Sequence, residues 1–278
     1  MIEQVPRILL VDNGSRRAEA THNLRRIAAT LAAVSGQPIV PVSLLHSDQI
    51  PAAALDGQPA HILATALEHG LAQGVRNWCL IPLFFGLSRA LTDHIPQICA
   101  GLRARFGAFR CVMADPLCPL PEGEPRLVTI LADQVSQVIP PNEPLPTQII
   151  LVDHGSPLAR VSAVRHWLAQ RLAVRGLLPA PVSEAVMERR PGAQYDFNGA
   201  LLTTVLDQQA VRQPEQTLVL AMLFLGAGRH AGAGGDITTI CNQAMTRHPG
   251  LSVRIAPLVG EHPLLIEILA DRVRAQVQ

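Results

Sequence analysis

The sequence predicts an α/β protein with two tandem domains, each a four-stranded parallel sheet flanked by helices. Short runs of Val, Ile and Leu alternate with helical patterns along the chain, which is typical of parallel strands joined by right-handed crossovers. One stretch also occurs twice: Ile-Leu-Leu-Val-Asp-Asn-Gly-Ser at 8–15 returns as Ile-Ile-Leu-Val-Asp-His-Gly-Ser at 149–156, and 81–86 returns as 221–226. These offsets of 141 and 140 residues indicate two copies of one structural unit.

Strands are predicted where apolar residues run almost without interruption, as expected for parallel strands covered on both faces. In the first half these runs are 7–12, 38–45, 78–85 and 109–114. In the second half they are 148–153, 181–187, 217–225 and 251–256. Helices are predicted between strands, where apolar residues recur at helical spacing. The clearest helical patterns are 17–34, 159–175 and 262–276.

A proline-rich segment separates the two copies. Ile139-Pro-Pro-Asn-Glu-Pro-Leu-Pro146 has four prolines in eight positions, which is typical of a stiff, extended linker. We therefore predict an N-terminal domain over 1–139, a linker over 140–146 and a C-terminal domain over 147–278.

The composition excludes several classes of protein. Hydrophobic residues make up 48% of the 278 residues and charged residues 16%, so the chain is expected to be globular and not disordered. The net charge is +1, without a long basic run, which argues against a nucleic-acid partner. The longest apolar run, Leu218–Leu225, is too short to span a bilayer, so no membrane partner is expected.

The cysteines and the N-terminus bear on the compartment. Five cysteines are present without a Cys-x-x-Cys pair, a pattern that suits a reducing compartment better than a disulfide scaffold. The first residues run directly into a strand pattern and leave no room for a signal peptide. The expected location is therefore cytoplasmic.

Three side chains that can bind a metal follow three strands of the second copy. His154 follows its first strand, Glu188 its second, and His230 lies just past its third. In an open parallel sheet, ligands bind beyond the carboxyl ends of the strands, so these side chains are expected to converge. Imidazole and carboxylate suit divalent Co, Fe, Ni or Zn and leave coordination positions open for a substrate. Either histidine could also act as a base near neutral pH.

The first copy lacks this set. By sequence alignment, Asn13, His46 and Ala90 stand where the second copy has His154, Glu188 and His230. The second copy is therefore expected to carry the chemistry.

Each of the three residues also has a simpler interpretation. His154 could fill the turn before a helix, with Ser156 as its cap. Glu188 could form a solvated ion pair with the neighbouring arginines, the commoner fate of a charge cluster. His230 could be an ordinary loop histidine. Their placement at three strand ends in one copy only favours a shared function.

Two other motifs are weaker. Gly226-x-Gly228-x-x-Ala231 resembles a dinucleotide fingerprint, but it does not follow the first strand of a fold, and the next strand ends without an acidic residue. Ser156 has no nucleophile elbow around it. Ser15 occupies the same position in the first copy, which favours a structural role for this serine.

The second copy resembles the class II tetrapyrrole chelatases, the CbiX-type sirohydrochlorin cobaltochelatases and ferrochelatases, in their long, tandem two-domain form. The signatures are Val152-Asp-His-Gly-Ser156, Val186-Met-Glu188, Leu223-Phe-Leu-Gly-Ala-Gly-Arg-His230, Asp236-Ile237 and the tail Ile255–Pro263. In the first copy, Ile81-Pro-Leu-Phe84 and His94-Ile-Pro96 keep the same frame. The resemblance implies two chelatase-like, flavodoxin-like domains and covers almost the whole chain.

The resemblance also implies an activity. The family inserts a divalent metal into sirohydrochlorin or a related precorrin-derived tetrapyrrole without ATP, in cobalamin or sirohaem biosynthesis. By motif, His154 and His230 are the catalytic residues, and both join Glu188 in the metal site. The expected metal, Co²⁺, Fe²⁺ or Ni²⁺, is a substrate, and no organic cofactor is expected. Long members fuse two copies around a shared cleft, so the chain is expected to be a monomer with an internal pseudo-dimer.

Sirohydrochlorin carries many carboxylates, which guanidinium groups bind well. The candidate substrate-binding residues are Arg189, Arg190, Arg229, Gly228 and Ser156. One departure from the family is Pro157, where an arginine often follows His-Gly-Ser, so carboxylate recognition is expected to differ.

Two other functions compete with this one. A duplicated scaffold that lost turnover could act as a non-catalytic carrier of a tetrapyrrole or metal ion. A nucleotide-dependent enzyme with a doubly wound fold is the third hypothesis, disfavoured by the missing acidic residue.

Overall fold

Two separate four-stranded parallel sheets organise the chain in the computed structural model, which describes residues 5–174 and 176–277. The first sheet has the order β2-β1-β3-β4, with β1 at Arg7–Asp12, β2 at Ile39–Ser43, β3 at Asn77–Pro82 and β4 at Arg110–Met113. The second has the order β6-β5-β7-β8, with β5 at Gln148–Asp153, β6 at Val182–Val186, β7 at Gln216–Met222 and β8 at Leu251–Leu258. The predicted fold class is confirmed.

Helices follow the strands in each copy. In the first copy they are α1 at Ala18–Ser35, α2 at Leu63–Ala72, α3 at Ile95–Phe106 and α4 at Pro125–Gln137. In the second they are α5 at Ala159–Val174, α6 at Leu202–Arg212, α7 at Asp236–Arg247 and α8 at Leu264–Val277. The predicted strands 7–12 and 148–153 have the observed bounds. The predicted strand 217–225 extends past the end of β7 because Leu223 remains buried without continuing the strand.

The central strands are apolar because both of their faces are covered. In β5, the four residues Ile149 to Val152 are fully buried, and β5 pairs with β6 on one side and β7 on the other. Burial of one such side chain contributes about 1.5–3 kcal/mol. A charged residue at Leu151 would therefore break this sheet at its centre.

In helix α1, apolar residues at helical spacing form the face that packs in the core. Its residues Leu24, Ile27 and Leu31 are buried along one face, as the predicted stripe requires. The helix ends at Gly36, whose left-handed φ of 66° lets its N–H donate to Ala32 O at 3.0 Å. Glycine is favoured at this C-terminal position because it has no Cβ.

The chain forms two compact units whose bounds differ from those of the sequence repeats. One unit contains the described residues up to Glu122 together with those from Ile266 onwards, and the other contains the described residues of Gly123–Leu265. Helix α4, from the predicted domain 1–139, packs on β7, β8 and α5 of the second unit. Most of α8, from the predicted domain 147–278, belongs to the first unit. An apolar helix face can cover either of two similar sheets, so the repeat bounds do not define the compact units.

The proline-rich segment 140–146 is not extended throughout. Glu143 N–H donates to Pro140 O at 3.3 Å, which closes a turn. Arg254 of β8 binds both Val138 O, at 3.2 Å, and the Glu143 carboxylate. These contacts hold the segment against the second unit, of which it is part.

None of the helices in the described part of the chain combines the length and the apolar character needed to cross a bilayer.

Candidate metal centre

The carboxyl edge of the second sheet brings His154, Glu188 and His230 together. His154 Nε2 lies 3.3 Å from Glu188 Oε1, and the His154 and His230 rings meet edge to face with centroids 4.6 Å apart. The side chains are 43%, 64% and 32% exposed, respectively. The three residues predicted from the strand ends therefore share one solvent-accessible site within a single unit.

Gly155 allows the first two of these loops to approach each other. Its φ is +90°, and a Cβ at this position would lie 2.0 Å from Glu188 O. The backbone of Glu188 also donates to His154 O at 3.1 Å. Only glycine combines this φ with so close a contact, so the His-Gly-Ser motif uses its glycine to bring Glu188 beside His154.

Asp236 orients His230. Asp236 Oδ2 lies 2.6 Å from His230 Nδ1, at the first turn of α7. If Nδ1 carries the proton for this bond, Nε2 is left as the free acceptor, which is the tautomer that a carboxylate partner favours. In the sequence, Asp236 stands out only as part of a motif, and no role is predicted for it. The sequence did contain a signal for such a role, since an acidic residue begins the helix that follows the His230 loop.

The loop around His230 is folded back on itself. Ile237 N–H donates to His230 O at 3.0 Å, and Asp236 N–H donates to Arg229 O at 3.2 Å. Gly232 N–H donates to Gly228 O at 3.1 Å, and a Cβ on Gly232 would lie 2.8 Å from that oxygen. The glycines thus permit a tight loop that carries His230 toward His154.

A buried ion-pair network supports the start of the His-Gly-Ser turn. Arg165 of α5 is fully buried and donates to Asp153 Oδ1 at 2.6 Å, Glu184 Oε2 at 3.0 Å and Asn198 O at 2.6 Å. Burial raises the pKa of Asp153, while the Arg165 guanidinium opposes that shift. Asp153 Oδ1 also accepts from Gly155 N–H at 3.0 Å, so the network anchors the residue before His154.

Ser156 has local partners. Its Oγ accepts from Leu158 N–H at 3.1 Å, as a residue before a helix often does. Its N–H donates to Asn198 Oδ1 at 3.0 Å, and its carbonyl accepts from Asn198 Nδ2 at 2.8 Å. Ser15 Oγ accepts from Arg17 N–H at 3.1 Å in the first copy, which supports the structural interpretation of this serine.

The three arginines predicted to bind substrate differ in how strongly contacts within the protein hold their side chains. Arg189 donates to Asp196 Oδ1 and Gly199 O, both at 3.1 Å, and so holds the loop after β6. The Arg190 guanidinium lies 6.0 Å from the centre of the Tyr195 ring. Arg229 is 75% exposed, with its Nε 3.8 Å from Asp236 Oδ2. Arg229, which directly precedes His230 in the chain, is therefore exposed enough to turn toward a ligand.

The donor atoms are close together but do not form a closed cage. Among the residues that the structure describes, no three His, Cys, Asp or Glu side chains enclose a metal position, because His154 faces Glu188 and His230 faces Asp236. An open, exposed set of two imidazoles and a carboxylate suits a metal that arrives and leaves more than one held permanently. Small rotations of exposed side chains would redirect these donors.

The first copy has a leucine where the second has Glu188. A Cβ on Gly14 would lie 1.8 Å from Leu45 O, just as one on Gly155 would lie 2.0 Å from Glu188 O. The backbone therefore pairs Leu45 with Glu188, and the sequence-based pairing of His46 with Glu188 is wrong by one residue. His46 instead precedes a short 3-10 turn, with a φ of 70°.

Comparison with known families finds a likeness for the second half of the chain. Residues 148–276 match the family model described as CbiX. A search of curated proteins finds no match.

Comparison with solved structures extends the likeness of fold to the whole chain. SirB from Bacillus subtilis with Fe³⁺ matches with a TM-score of 0.71 and 16% identity, covering 98% of this chain and 95% of that one. The sirohydrochlorin chelatase SirB from Bacillus subtilis subspecies spizizenii in complex with cobalt has a TM-score of 0.66 and 17% identity, with the same coverage. CbiX, described as the terminal enzyme for biosynthesis of sirohaem in denitrifying bacteria, has a TM-score of 0.61 and 18% identity, covering 98% of this chain and 100% of that one.

Proposed function

We propose that the chain inserts a divalent metal, Co²⁺ or Fe²⁺, into sirohydrochlorin or a related precorrin-derived tetrapyrrole without ATP. The match of residues 148–276 to the CbiX family model supports this proposal. The observation that carries this proposal is the convergence of His154, Glu188 and His230 at one open sheet edge. The likeness of fold to structures of SirB with iron and with cobalt supports it.

The histidines are proposed to move protons and to deliver the metal. Insertion requires the loss of two pyrrole N–H protons and the exchange of the metal's waters for nitrogens. A neutral imidazole can accept such a proton near neutral pH. His230 is proposed to use Nε2, since Asp236 binds Nδ1. His154, with Nε2 at the same site, is proposed to bind the incoming ion.

Glu188 is proposed to neutralise part of the metal's charge. Its carboxylate is 64% exposed and already lies 3.3 Å from His154 Nε2. A carboxylate among imidazoles suits Co, Fe and Ni alike. The donor set therefore supports a divalent first-row metal without selecting one.

Substrate carboxylates are proposed to pair with Arg229 and Arg190, because Arg189 already holds the Asp196 loop. Gly228 carries no side chain, and a Cβ there would meet open space, so a flat ring could approach its backbone. Ser156 is proposed to act through its backbone geometry at the turn.

The test is an insertion assay with metal-free sirohydrochlorin and Co²⁺, Fe²⁺ or Ni²⁺, followed by visible absorbance. His154→Ala and His230→Ala are each expected to lower the insertion rate by about 100-fold or more, since each removes a base or ligand. Their circular dichroism should match the wild type. His46→Asn in the first copy is the matched control, because asparagine tolerates the same backbone conformation, and it should insert metal at the normal rate.

Two outcomes would contradict the proposal. A His154→Ala, His230→Ala double variant that still inserts metal at the wild-type rate would exclude these residues. Spectral changes that never exceed one equivalent of tetrapyrrole per chain would indicate a carrier, because an enzyme turns over.

We also propose that the chain acts as a monomer, since duplication supplies two sheets in one polypeptide. Light scattering should give a mass near 29.9 kDa.

A further inference from the structure

His154 carries an exposed side chain on a backbone that is attached on both sides. The side chain is 43% exposed, so surrounding atoms do not enclose the ring. On one side, Asp153 Oδ1 accepts from the fully buried Arg165 at 2.6 Å. On the other side, Asn198 binds the backbone of Ser156. These two attachments fix where the His154 backbone lies.

The side chain of Asn198 is fully buried and has no unused hydrogen-bonding group. Its Oδ1 accepts from Ser156 N–H at 3.0 Å and from Ser162 Oγ at 2.9 Å. Its Nδ2 donates to Ser156 O at 2.8 Å and to Tyr195 O at 3.1 Å. An amide side chain offers two acceptor positions and two N–H groups, so its capacity is used in full. Because two of these bonds go to one residue, Ser156 is held at both its N–H and its carbonyl.

Arg165 connects the two attachments. Its NH1 binds Asp153, its NH2 donates to Asn198 O at 2.6 Å, and its Nε donates to Glu184 Oε2 at 3.0 Å. The guanidinium is planar and rigid, so it sets the spacing between the two ends of the His-Gly-Ser turn. We refer to the following five residues as the clamp: Asp153, Ser162, Arg165, Glu184 and Asn198.

The first copy has different residues at most positions of the clamp. Spacing along the chain, the strand register and the isolated parallel bridge at the end of each second strand align the two copies. In the order given above, the counterparts of the clamp residues are Asp12, Thr21, Leu24, Pro41 and Pro59. Only the aspartate is retained. The other counterparts line a cavity of about 390 Å³, so the first unit has open space where the second unit has the clamp.

The first copy nevertheless forms the same turn. Gly14 has a left-handed φ of +85°, close to that of Gly155. Within the described residues, no side chain binds the backbone of Ser15, the counterpart of Ser156. The fold therefore makes this turn without a clamp, and the clamp occurs in the copy that carries His154.

We propose that Asn198 is a positioning residue for metal insertion. Held by Arg165, it fixes Ser156 and thereby keeps His154 beside Glu188, where His154 binds the incoming ion. This inference rests on the proposed function. Asn198 acts without touching the metal or the tetrapyrrole, because its side chain is buried and its polar atoms have partners within the protein. Groups behind a metal ligand set its orientation and its affinity.

Asn198→Ala tests the proposal through two measurements. Co²⁺ binding is titrated without tetrapyrrole and followed by visible absorbance, and insertion is measured at varied Co²⁺ and at varied sirohydrochlorin. The Kd and the apparent KM for Co²⁺ should each rise about 10- to 100-fold, the usual effect of losing a residue behind a metal ligand. The KM for sirohydrochlorin should stay within about threefold of the wild type, because Arg189 still holds the loop after β6. A smaller folded fraction would lower kcat and leave both KM values unchanged.

Gln216→Ala is the matched control. Gln216 is also a buried amide of the second unit, but it begins β7 and so lies at the opposite edge of the sheet. Its Oε1 accepts from Thr147 Oγ1 at 2.7 Å, and its Nε2 donates to Gln213 O at 2.8 Å. This variant loses comparable hydrogen bonds and should bind Co²⁺ as the wild type does.

Amide hydrogen exchange of the wild type tests the clamp without any variant, and it decides if Asn198→Ala does not fold. The Ser156 amide should exchange at least about tenfold more slowly than the Ser15 amide, because a buried side chain accepts its hydrogen bond. The proposal is overturned if folded Asn198→Ala binds Co²⁺ as tightly as the wild type, if Gln216→Ala weakens binding equally, or if the two amides exchange equally fast. If the wild type binds Co²⁺ but inserts none, the proposed function fails, while the comparison of Co²⁺ affinities still decides this proposal.

Discussion

The chemistry of this protein depends on how individual side chains are paired. His230 has a carboxylate on Nδ1, whereas the Nδ1 of His154 lies 3.1 Å from the Gly155 carbonyl. The two imidazoles therefore have different partners although they meet edge to face. A carboxylate behind an imidazole fixes its orientation and its tautomer. We therefore propose that His230 accepts a proton through Nε2 and that His154, beside Glu188, binds the ion.

This difference leads to a prediction for Asp236. Asp236→Asn should lower the rate of metal insertion by about 10- to 100-fold, the usual effect of losing a carboxylate behind a functional histidine. The measurement is the initial insertion rate followed by visible absorbance. Asp207→Asn is the control, because Asp207 pairs with Arg247 and His248 elsewhere on the second unit. Equal rates for both variants would argue against a positioning role for Asp236.

At the scale of elements, the turn after the first strand of each copy is the part that duplication has preserved. Gly14 and Gly155 have φ values of +85° and +90°, and each faces the carbonyl oxygen of the second residue after the neighbouring strand, Leu45 O or Glu188 O. This geometry is retained in the first copy, although that copy lacks counterparts of His154 and His230. The turn is therefore a requirement of the fold that the second copy also uses to place Glu188.

Substitutions of Gly14 and Gly155 distinguish the effect of this turn on stability from its effect on metal insertion. Gly155→Ala and Gly14→Ala should each destabilise the protein by about 1–3 kcal/mol, the cost of a left-handed residue with a side chain, plus the clash with the facing carbonyl. Thermal unfolding measures this effect. Only Gly155→Ala should also lower the insertion rate of the folded protein, because it displaces Glu188 from His154. A loss of activity in Gly14→Ala at a temperature where it stays folded would contradict this account.

For the whole molecule, the division of the chain into compact units matters more than the division into sequence repeats. Helix α4 has fully buried side chains along one face, including Leu127, Leu131 and Val135, and packs on the strands of the second unit. Helix α8, from Ile266 onwards, belongs to the first unit. The second sheet thus packs against a helix from the first sequence copy, and the first unit includes most of a helix from the second copy.

Fragments of the chain test this division. A fragment covering 123–265 should unfold cooperatively, because it keeps α4 on its sheet. A fragment covering 147–278 should not, since loss of several buried aliphatic contacts, each about 1.5–3 kcal/mol, is comparable to the whole stability of a domain. Heat-capacity traces and circular dichroism distinguish the two. Cooperative unfolding of 147–278 alone would show that the sequence repeat is the folding unit.

Much of this molecule could be predicted from the sequence. The duplicated motifs and uninterrupted apolar runs identified the parallel α/β fold, because strands covered on both faces must be apolar along their length. The strand ends predicted that His154, Glu188 and His230 lie close together, because the carboxyl ends of parallel strands lie at one edge, and the structure places them so.

The tertiary structure decided what depends on register and on long-range packing. The connection between the first two strands of the second sheet is longer than its counterpart, so only backbone pairing could match Leu45 with Glu188. The sheet that α4 covers depends on which apolar faces meet. The periodic pattern of a helix does not specify which of two similar sheets it packs on. Asp12 shows the same limit: its sequence context repeats that of Asp153, yet only the packing shows that its Oδ1 is buried without a hydrogen-bond partner among the described residues.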